Sequence, residues 1–94
     1  MIENLEEVFE KHDDEFLEFK RVKNKLSSRP DIHAFILLNQ LVPGTSDMVS
    51  AAKHDEIFLD IDADELAKVA TKEQVIDLIR CGVRFDDYGL AMFV

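Results

Sequence analysis

Apolar residues recur along the first 26 positions at alternating steps of three and four, which places them on one stripe of an α-helix. This spacing predicts a single long amphipathic helix over residues 2–26. Acidic residues fill its first half and basic residues its last turns, an order that complements the helix dipole. The stripe consists of Ile2, Leu5, Phe9, His12, Phe16, Phe19, Lys23 and Leu26, and Val8, Leu17 and Val22 widen it.

A second helix is predicted over residues 32–42. Ser28 with Asp31 three residues later resembles a capping box, and Pro30 is tolerated within a first turn. Pro43-Gly44 is a typical stop signal. Because the segment is apolar on most sides, we expect it to be the buried central helix.

The rest of the chain predicts short elements. Residues 45–55 read as one or two further helical turns, capped by Ser46 and ended near His54. Residues 56–62 alternate apolar and polar side chains, which is typical of a strand. Two capping pairs then open short helices, and the last twelve residues predict a β-hairpin. The pairs are Asp62 with Glu65, for a helix through Ala70, and Thr71 with Gln74, for a helix to Cys81 that Gly82 ends.

Together these elements predict one α+β domain over residues 1–94, with a sheet of about three strands. The long helix would occupy residues 1–27 and a compact part residues 28–94. At about 1.5 Å per residue, the helix would measure roughly 37 Å and overhang the compact part. We therefore expect a homodimer through its apolar stripe, with Leu5, Phe9, His12, Phe16 and Phe19 in the interface.

The chain has 94 residues, of which 47% are apolar and 33% charged, so it should fold. Its net charge of −9 argues against direct binding to nucleic acid or to an anionic membrane. A single cysteine, no membrane-length apolar run and no signal-like start suggest a cytoplasmic protein. The charge is uneven: −7 over residues 1–18, +5 over residues 19–30 and −7 over the remainder.

Catalytic and metal motifs are missing from the sequence. There is no Gly-rich phosphate loop, no CxxC pair and no Ser–His–Asp pattern. The carboxylates from Asp60 to Asp64 begin like a calcium loop, but Glu65 stands where that loop needs glycine. Cys81 follows a helix, where the dipole opposes a thiolate. We therefore expect no enzyme, no cofactor and no metal site.

The acidic residues of the first helix suggest an interaction protein. Glu3, Glu7, Glu10, Asp14 and Glu18 would form a line about 22 Å long on its solvent side. Neighbouring carboxylates would lie roughly 5–6 Å apart, comparable to the charge spacing along a nucleic-acid strand. The hypothesis is a non-enzymatic module that presents this nucleic-acid-like surface to a basic, nucleic-acid-binding protein. Small acidic inhibitors of this kind are typical of bacteriophages and mobile elements.

A different class of function stays open. A small ligand-binding or regulatory module would use a pocket between the second helix and the sheet. Its polar side chains would be His33, Asn39, Gln40 and Arg84.

Overall fold

The computed structural model describes residues 2–44, 48–53, 55–86 and 89–93. They form an α+β fold with four α-helices, two single-turn 3₁₀ helices and four strands. The helices are α1 (Leu5–Lys11), α2 (Pro30–Leu41), α3 (Ala63–Val69) and α4 (Lys72–Arg80), and the 3₁₀ turns are Asp13–Glu15 and Phe19–Arg21. The strands are β1 (Val49–Lys53), β2 (Glu56–Leu59), β3 (Val83–Asp86) and β4 (Gly89–Phe93).

The four strands form one antiparallel sheet in the order β1-β2-β4-β3. The chain leaves the sheet after β2, forms α3 and α4, and returns as the β3–β4 hairpin. Ile57 pairs with Met92, which also pairs with Val83. Because alternate residues of a strand point to opposite faces, these three side chains share the face that contributes to the core.

One apolar core joins the helices to this face of the sheet. Each fully buried large side chain stabilises the fold by about 1.5–3 kcal/mol relative to exposure. The first helix contributes to the same core as the rest of the chain. The main members of this core are Leu5, Phe9, Leu37, Leu38, Ile57, Leu59, Leu66, Val75, Leu78, Ile79, Val83, Leu90 and Met92.

The long first helix is a wrong prediction. The helix ends at Lys11, and Leu17 then adopts a left-handed backbone with φ 65°. A 37 Å helix would exceed the longest extent of the molecule, 29 Å. The break instead lets Phe16 and Phe19 fold back and pack against the chain's own core.

The second helix begins earlier than predicted and without the predicted capping box. Arg29 precedes it and Pro30 is its first residue, whose fixed φ suits that position. The Asp31 carboxylate accepts hydrogen bonds from the Arg29 guanidinium and the Ile32 N–H instead. Only one side of the helix is buried, since Ile32 is 41% exposed.

The predicted helical turns over residues 45–55 are also wrong, because strand β1 occupies Val49–Lys53. This strand raises the sheet from the expected three strands to four. Three consecutive small residues, Ser50, Ala51 and Ala52, give it a weak strand signal, and its pairing with β2 decides the conformation. The predicted ends at Ser46 and His54 lie outside the described residues, as do Asp87, Tyr88 and Val94 of the hairpin.

The local helix signals after residue 60 are confirmed. The Asp62 side chain accepts hydrogen bonds from the N–H groups of Asp64 and Glu65 and caps α3. Thr71 and Gln74 form a complete capping box on α4. Gly82 follows α4 with φ +97°, the left-handed conformation expected there.

Candidate functional site

The N-terminal segment carries an acidic surface. It is defined here by exposed side chains from the residues just before α1, from α1 and from the first 3₁₀ turn, namely Glu3, Glu6, Glu7, Glu10, Asp13 and Asp14. Among these six, only the Glu7 carboxylate forms an ion pair with another described residue, the Lys11 ammonium at 2.8 Å. This pair lowers the pKa of Glu7 through its hydrogen bond to Lys11. The surface therefore keeps most of its negative charge uncompensated.

The acidic surface is not the straight line that the sequence predicts. Because α1 ends at Lys11, Glu18 leaves the line and lies 3.6 Å from the Lys20 ammonium. Glu3 and Glu7 line a shallow groove against the start of α4, whereas Glu10 lines a different groove. The five expected carboxylates thus occupy several places on the surface.

The second of these grooves, here called the acidic groove, lies between α1, the first 3₁₀ turn and strand β3. Its volume is about 380 Å³. The Phe9 and Phe85 rings form part of its lining and are 5.8 Å apart between centroids, at an interplanar angle of 45°. Phe16, Ile79 and Val83 continue this apolar lining, and the carboxylates at the groove are those of Glu6, Glu10 and Asp13.

Among the described residues that line the acidic groove, Arg84 is the one basic residue. Its guanidinium is paired with the carboxylate of Glu56 and lies 3.8 Å from that of Asp86. The groove itself contributes three carboxylates against this one compensated cation, so its local charge is negative.

The residues predicted for a dimer interface are largely used inside the chain. Leu5 and Phe9 are buried in the core, and Phe16 and Phe19 pack against it. His12 is half-buried at the end of α1. The dimer prediction depends on a long first helix that extends beyond the compact part of the chain. Because α1 ends at Lys11, no such extension occurs. The dimer itself stays a prediction.

His33 is a buried structural residue of α2. Its side chain is 2% exposed, and its Nδ1 accepts a hydrogen bond from the Leu26 N–H at 3.0 Å. The Phe19 ring lies edge-on to the imidazole with centroids 5.8 Å apart. Burial lowers the pKa of His33, the nearby Lys25 lowers it further, and Asp77 opposes both. The imidazole therefore holds the loop before α2 in place.

The other residues of the ligand-pocket hypothesis lie apart. Asn39 and Gln40 are exposed near the end of α2, and Asn39 lines an apolar groove with Phe35 and Met48. Arg84 belongs to the acidic groove on β3. The described residues do not place these side chains and His33 around one cavity.

The structure also locates the residues considered for chemistry. Cys81 is buried, and burial together with the nearby Asp77 raises the pKa of its thiol to about 12. A thiol in this setting stays protonated at neutral pH and is a poor nucleophile. Across the described ranges, no three His, Cys, Asp or Glu side chains are grouped so that they could hold a metal ion. None of the helices in those ranges has the length and apolar character needed to cross a bilayer.

Sequence reasoning singled out Glu10 and Arg84 but missed Glu6, Asp13 and Phe85, which also line the acidic groove. Glu6 and Asp13 lie beside the predicted carboxylate line, and Phe85 lies about 75 positions further along the chain. Runs of acidic residues are common, and so are aromatic residues in hairpins. No local sequence pattern therefore indicates that these acids and Phe85 lie close together. Only the packing of α1 against β3 brings them to one groove.

Comparisons with protein-family models, with curated proteins and with solved structures find no match to this chain.

Proposed function

We propose that this protein is a non-enzymatic interaction module that binds a basic protein partner through its acidic surface. The observation that carries the proposal is the surplus of carboxylates on this surface, where Lys11 pairs with Glu7 and the other five carboxylates form no ion pair with another described residue. Glu3, Glu6, Glu10, Asp13 and Asp14 are exposed, and none has an ion pair with another described residue. Charged groups of one sign raise the local concentration of an oppositely charged partner and speed its association.

The contrast with neighbouring acids supports this interpretation. Glu15 is 14% exposed and is bound by both Arg80 and Arg21, with N–O distances of 2.6 and 2.5 Å. That carboxylate has two structural partners, whereas Glu3, Glu6, Glu10, Asp13 and Asp14 form no ion pair with another described residue. Their concentration on one segment is therefore better explained by an external cation.

Nucleic-acid mimicry is the finer form of the proposal. It would make the partner a nucleic-acid-binding protein and the module an inhibitor of that protein. A surface of separated carboxylates can occupy a phosphate-binding groove if the partner accepts its curved arrangement. Competition by nucleic acid distinguishes this form from an ordinary acidic interface.

The test neutralises four carboxylates of the acidic surface at once: Glu3→Gln, Glu7→Gln, Glu10→Gln and Asp14→Asn. Binding to a partner isolated from host lysate should weaken by at least about fourfold at low salt, since exposed pairs contribute about 0.2–1 kcal/mol each. The affinity of the unmodified protein should fall steeply as salt rises, because salt screens exposed charges.

A charge-matched variant is the control. Asp55→Asn, Asp60→Asn, Glu65→Gln and Glu73→Gln change four exposed acids on other parts of the chain and give the same net charge. This control should keep its affinity within about twofold, and circular dichroism should show both variants folded. Equal affinity of the two variants would contradict the proposal.

A further inference from the structure

The acidic groove combines an apolar aromatic lining with exposed carboxylates at its edge. Phe9 and Phe85 lie in ring contact within it, and Ile79 and Val83 are buried beneath. Its carboxylates come from successive turns of α1 and the following 3₁₀ turn. A ligand that fits this groove needs apolar surface over part of its length and positive charge at its end.

An arginine side chain has these properties. Its three methylenes bury against apolar surface, while its guanidinium stays polar and charged. The planar guanidinium also stacks on aromatic rings and pairs with carboxylates through two parallel hydrogen bonds. A lysine ammonium is more strongly hydrated and forms neither of these planar contacts. The groove thus distinguishes between the two basic residues.

We propose that the acidic groove binds an arginine side chain presented by a basic segment of the partner protein. The aliphatic part contacts the half-buried rings of Phe16 and Phe85, and the guanidinium pairs with Glu6, Glu10 or Asp13. This inference rests on the proposed function and assigns the class of partner and the contact point. Charge complementarity selects the occupant: a basic peptide is attracted by a molecule of net charge −9, whereas a second copy carries the same charge.

The volume of the groove agrees with this occupant. At about 380 Å³ it lies near the lower end of ligand pockets, which span about 300–1,000 Å³. One long side chain fits this space, and flanking basic residues of the same segment reach the rest of the acidic surface. The groove would therefore determine the register of the segment, and the surrounding carboxylates would add attraction.

The experiment uses the full chain and a fluorescein-labelled nonapeptide in which Arg and Gly alternate. Fluorescence anisotropy at about 50 mM salt measures its affinity, and matched peptides carry lysine or neutral citrulline in place of arginine. We expect the arginine peptide to bind about two- to fivefold more tightly than the lysine peptide. The citrulline peptide should not bind measurably. Equal affinity for arginine and lysine would overturn the stacking arrangement.

Two charge-matched variants locate the site. Glu6→Gln/Asp13→Asn removes carboxylates of the acidic groove, and Glu3→Gln/Asp14→Asn removes two that do not line it. The first pair should lose about two- to thirtyfold in affinity and the second less than about twofold. Equal losses would overturn the groove assignment while leaving the acidic-surface function standing. If both double variants bind the peptide as tightly as the unmodified protein, the groove proposal fails. The proposed function fails as well only if the variant with Glu3, Glu7, Glu10 and Asp14 neutralised still binds the partner protein with full affinity.

Phe85→Leu tests the aromatic contact separately. It keeps an apolar side chain of similar size but removes the ring, so the preference for arginine over lysine should disappear. Amide shifts in a ¹⁵N correlation spectrum provide a second measurement if this variant folds poorly. With the unmodified protein, the arginine peptide should shift residues of α1 and β3, and shifts confined to other elements would contradict the site.

A second copy is the competing occupant, since residues 19–30 are basic. Sedimentation of the unmodified protein and of Glu6→Gln/Asp13→Asn decides this point. If the groove variant converts an oligomer to a monomer, the groove is filled by another copy and the peptide assignment is overturned. An unchanged oligomeric state agrees with the proposal.

Discussion

Leu17 and Gly82 decide together that the N-terminal segment doubles back. Leu17 has φ 65°, a conformation that costs an L-residue about 1–2 kcal/mol. Its N–H donates a hydrogen bond to the Ile79 carbonyl oxygen at 3.2 Å, which ties the turn to α4. A Cβ on Gly82 would lie 2.8 Å from the Leu17 Cδ2 atom. Glycine suits position 82 chiefly because of its φ of +97°, since the exposed Leu17 side chain can move away from a Cβ there.

His33 makes the stability of the fold dependent on pH. The groups around the imidazole are the Phe19 ring, the Leu26 N–H, which donates a hydrogen bond to Nδ1, and the charges of Lys25 and Asp77. A protonated imidazole would carry hydrogen on Nδ1 and could no longer accept from Leu26. The buried position lowers the pKa of His33 below its ordinary 6.5. The unfolded chain thus takes up this proton at a higher pH than the folded one.

We therefore predict that the stabilisation from neutral His33 is full above pH 6.5 and is lost as the pH falls toward the lower folded value. His33→Gln keeps a hydrogen-bond acceptor that does not titrate. Between pH 7 and pH 5 the urea midpoint of this variant should therefore fall less than that of the unmodified protein. His33→Phe lacks the acceptor and should lose about 1–3 kcal/mol at pH 7. Equal pH slopes in the unmodified protein and His33→Gln would contradict this role.

At the scale of elements, one ion-pair network fastens the first 3₁₀ turn to α4. The Arg80 guanidinium is 18% exposed and binds Glu15 at 2.6 Å and Asp77 at 3.0 Å. Glu15 and Arg80 are 65 positions apart, so their pairing closes most of the chain into one loop. The pairing lowers the pKa of Glu15, chiefly through the hydrogen bond from Arg80, and raises that of Arg80.

This network gives an acid-sensitive contribution to stability. Because the folded pKa of Glu15 lies below its ordinary 4.5, the stabilisation is present above that value and is lost as the pH falls through the folded one. Glu15→Gln should lower the urea midpoint at pH 7. The difference in urea midpoint between this variant and the unmodified protein should become smaller as the pH falls from 4.5 to 2.5. Glu10→Gln, an exposed acid without an ion pair to a described residue, should change the midpoint little. A constant difference at all pH values would rule out the ion pair as the cause.

At the scale of the whole molecule, exposed apolar side chains lie at a different place from the one that the sequence predicts. Leu5 and Phe9 are in the core. Leu26 lies within the basic residues 19–30 and Ile32 just after them, and these two side chains are 42% and 41% exposed. Phe35 and Ile36 line a groove on the outer side of α2 with Met48. An apolar helix face of this kind is a suitable contact for a second copy.

The homodimer therefore stays a prediction, with a different contact surface from the first helix. We expect sedimentation velocity at micromolar concentration to show a species of twice the 10.8 kDa monomer mass. Ile32→Ser should shift the population toward monomer, while Lys23→Ser, an exposed change nearby in the sequence, should not. A clean monomer for the unmodified protein at these concentrations would refute the dimer.

The sequence alone was sufficient for several features that depend on groups three or four residues apart, although the predicted capping box of Ser28 and Asp31 does not form. The caps at Asp62 and Thr71, the glycine after α4 and the terminal hairpin follow from hydrogen bonds and turn preferences within such short spans. The α+β class follows from the order of these elements. Charge counts likewise predicted an acidic N-terminal segment, because they need no knowledge of packing.

Tertiary structure alone decided where the apolar stripe breaks, whether residues 49–53 pair as a strand, and which acids meet aromatic side chains. Helical periodicity identifies a face but not how far a helix continues, since burial against the chain's own core competes with local propensity. Strand β1 depends on its partner β2, and the acidic groove depends on α1 lying over β3. The energy of each arrangement comes from contacts between distant positions, such as Phe9 with Phe85 and Glu15 with Arg80. No local pattern records such contacts.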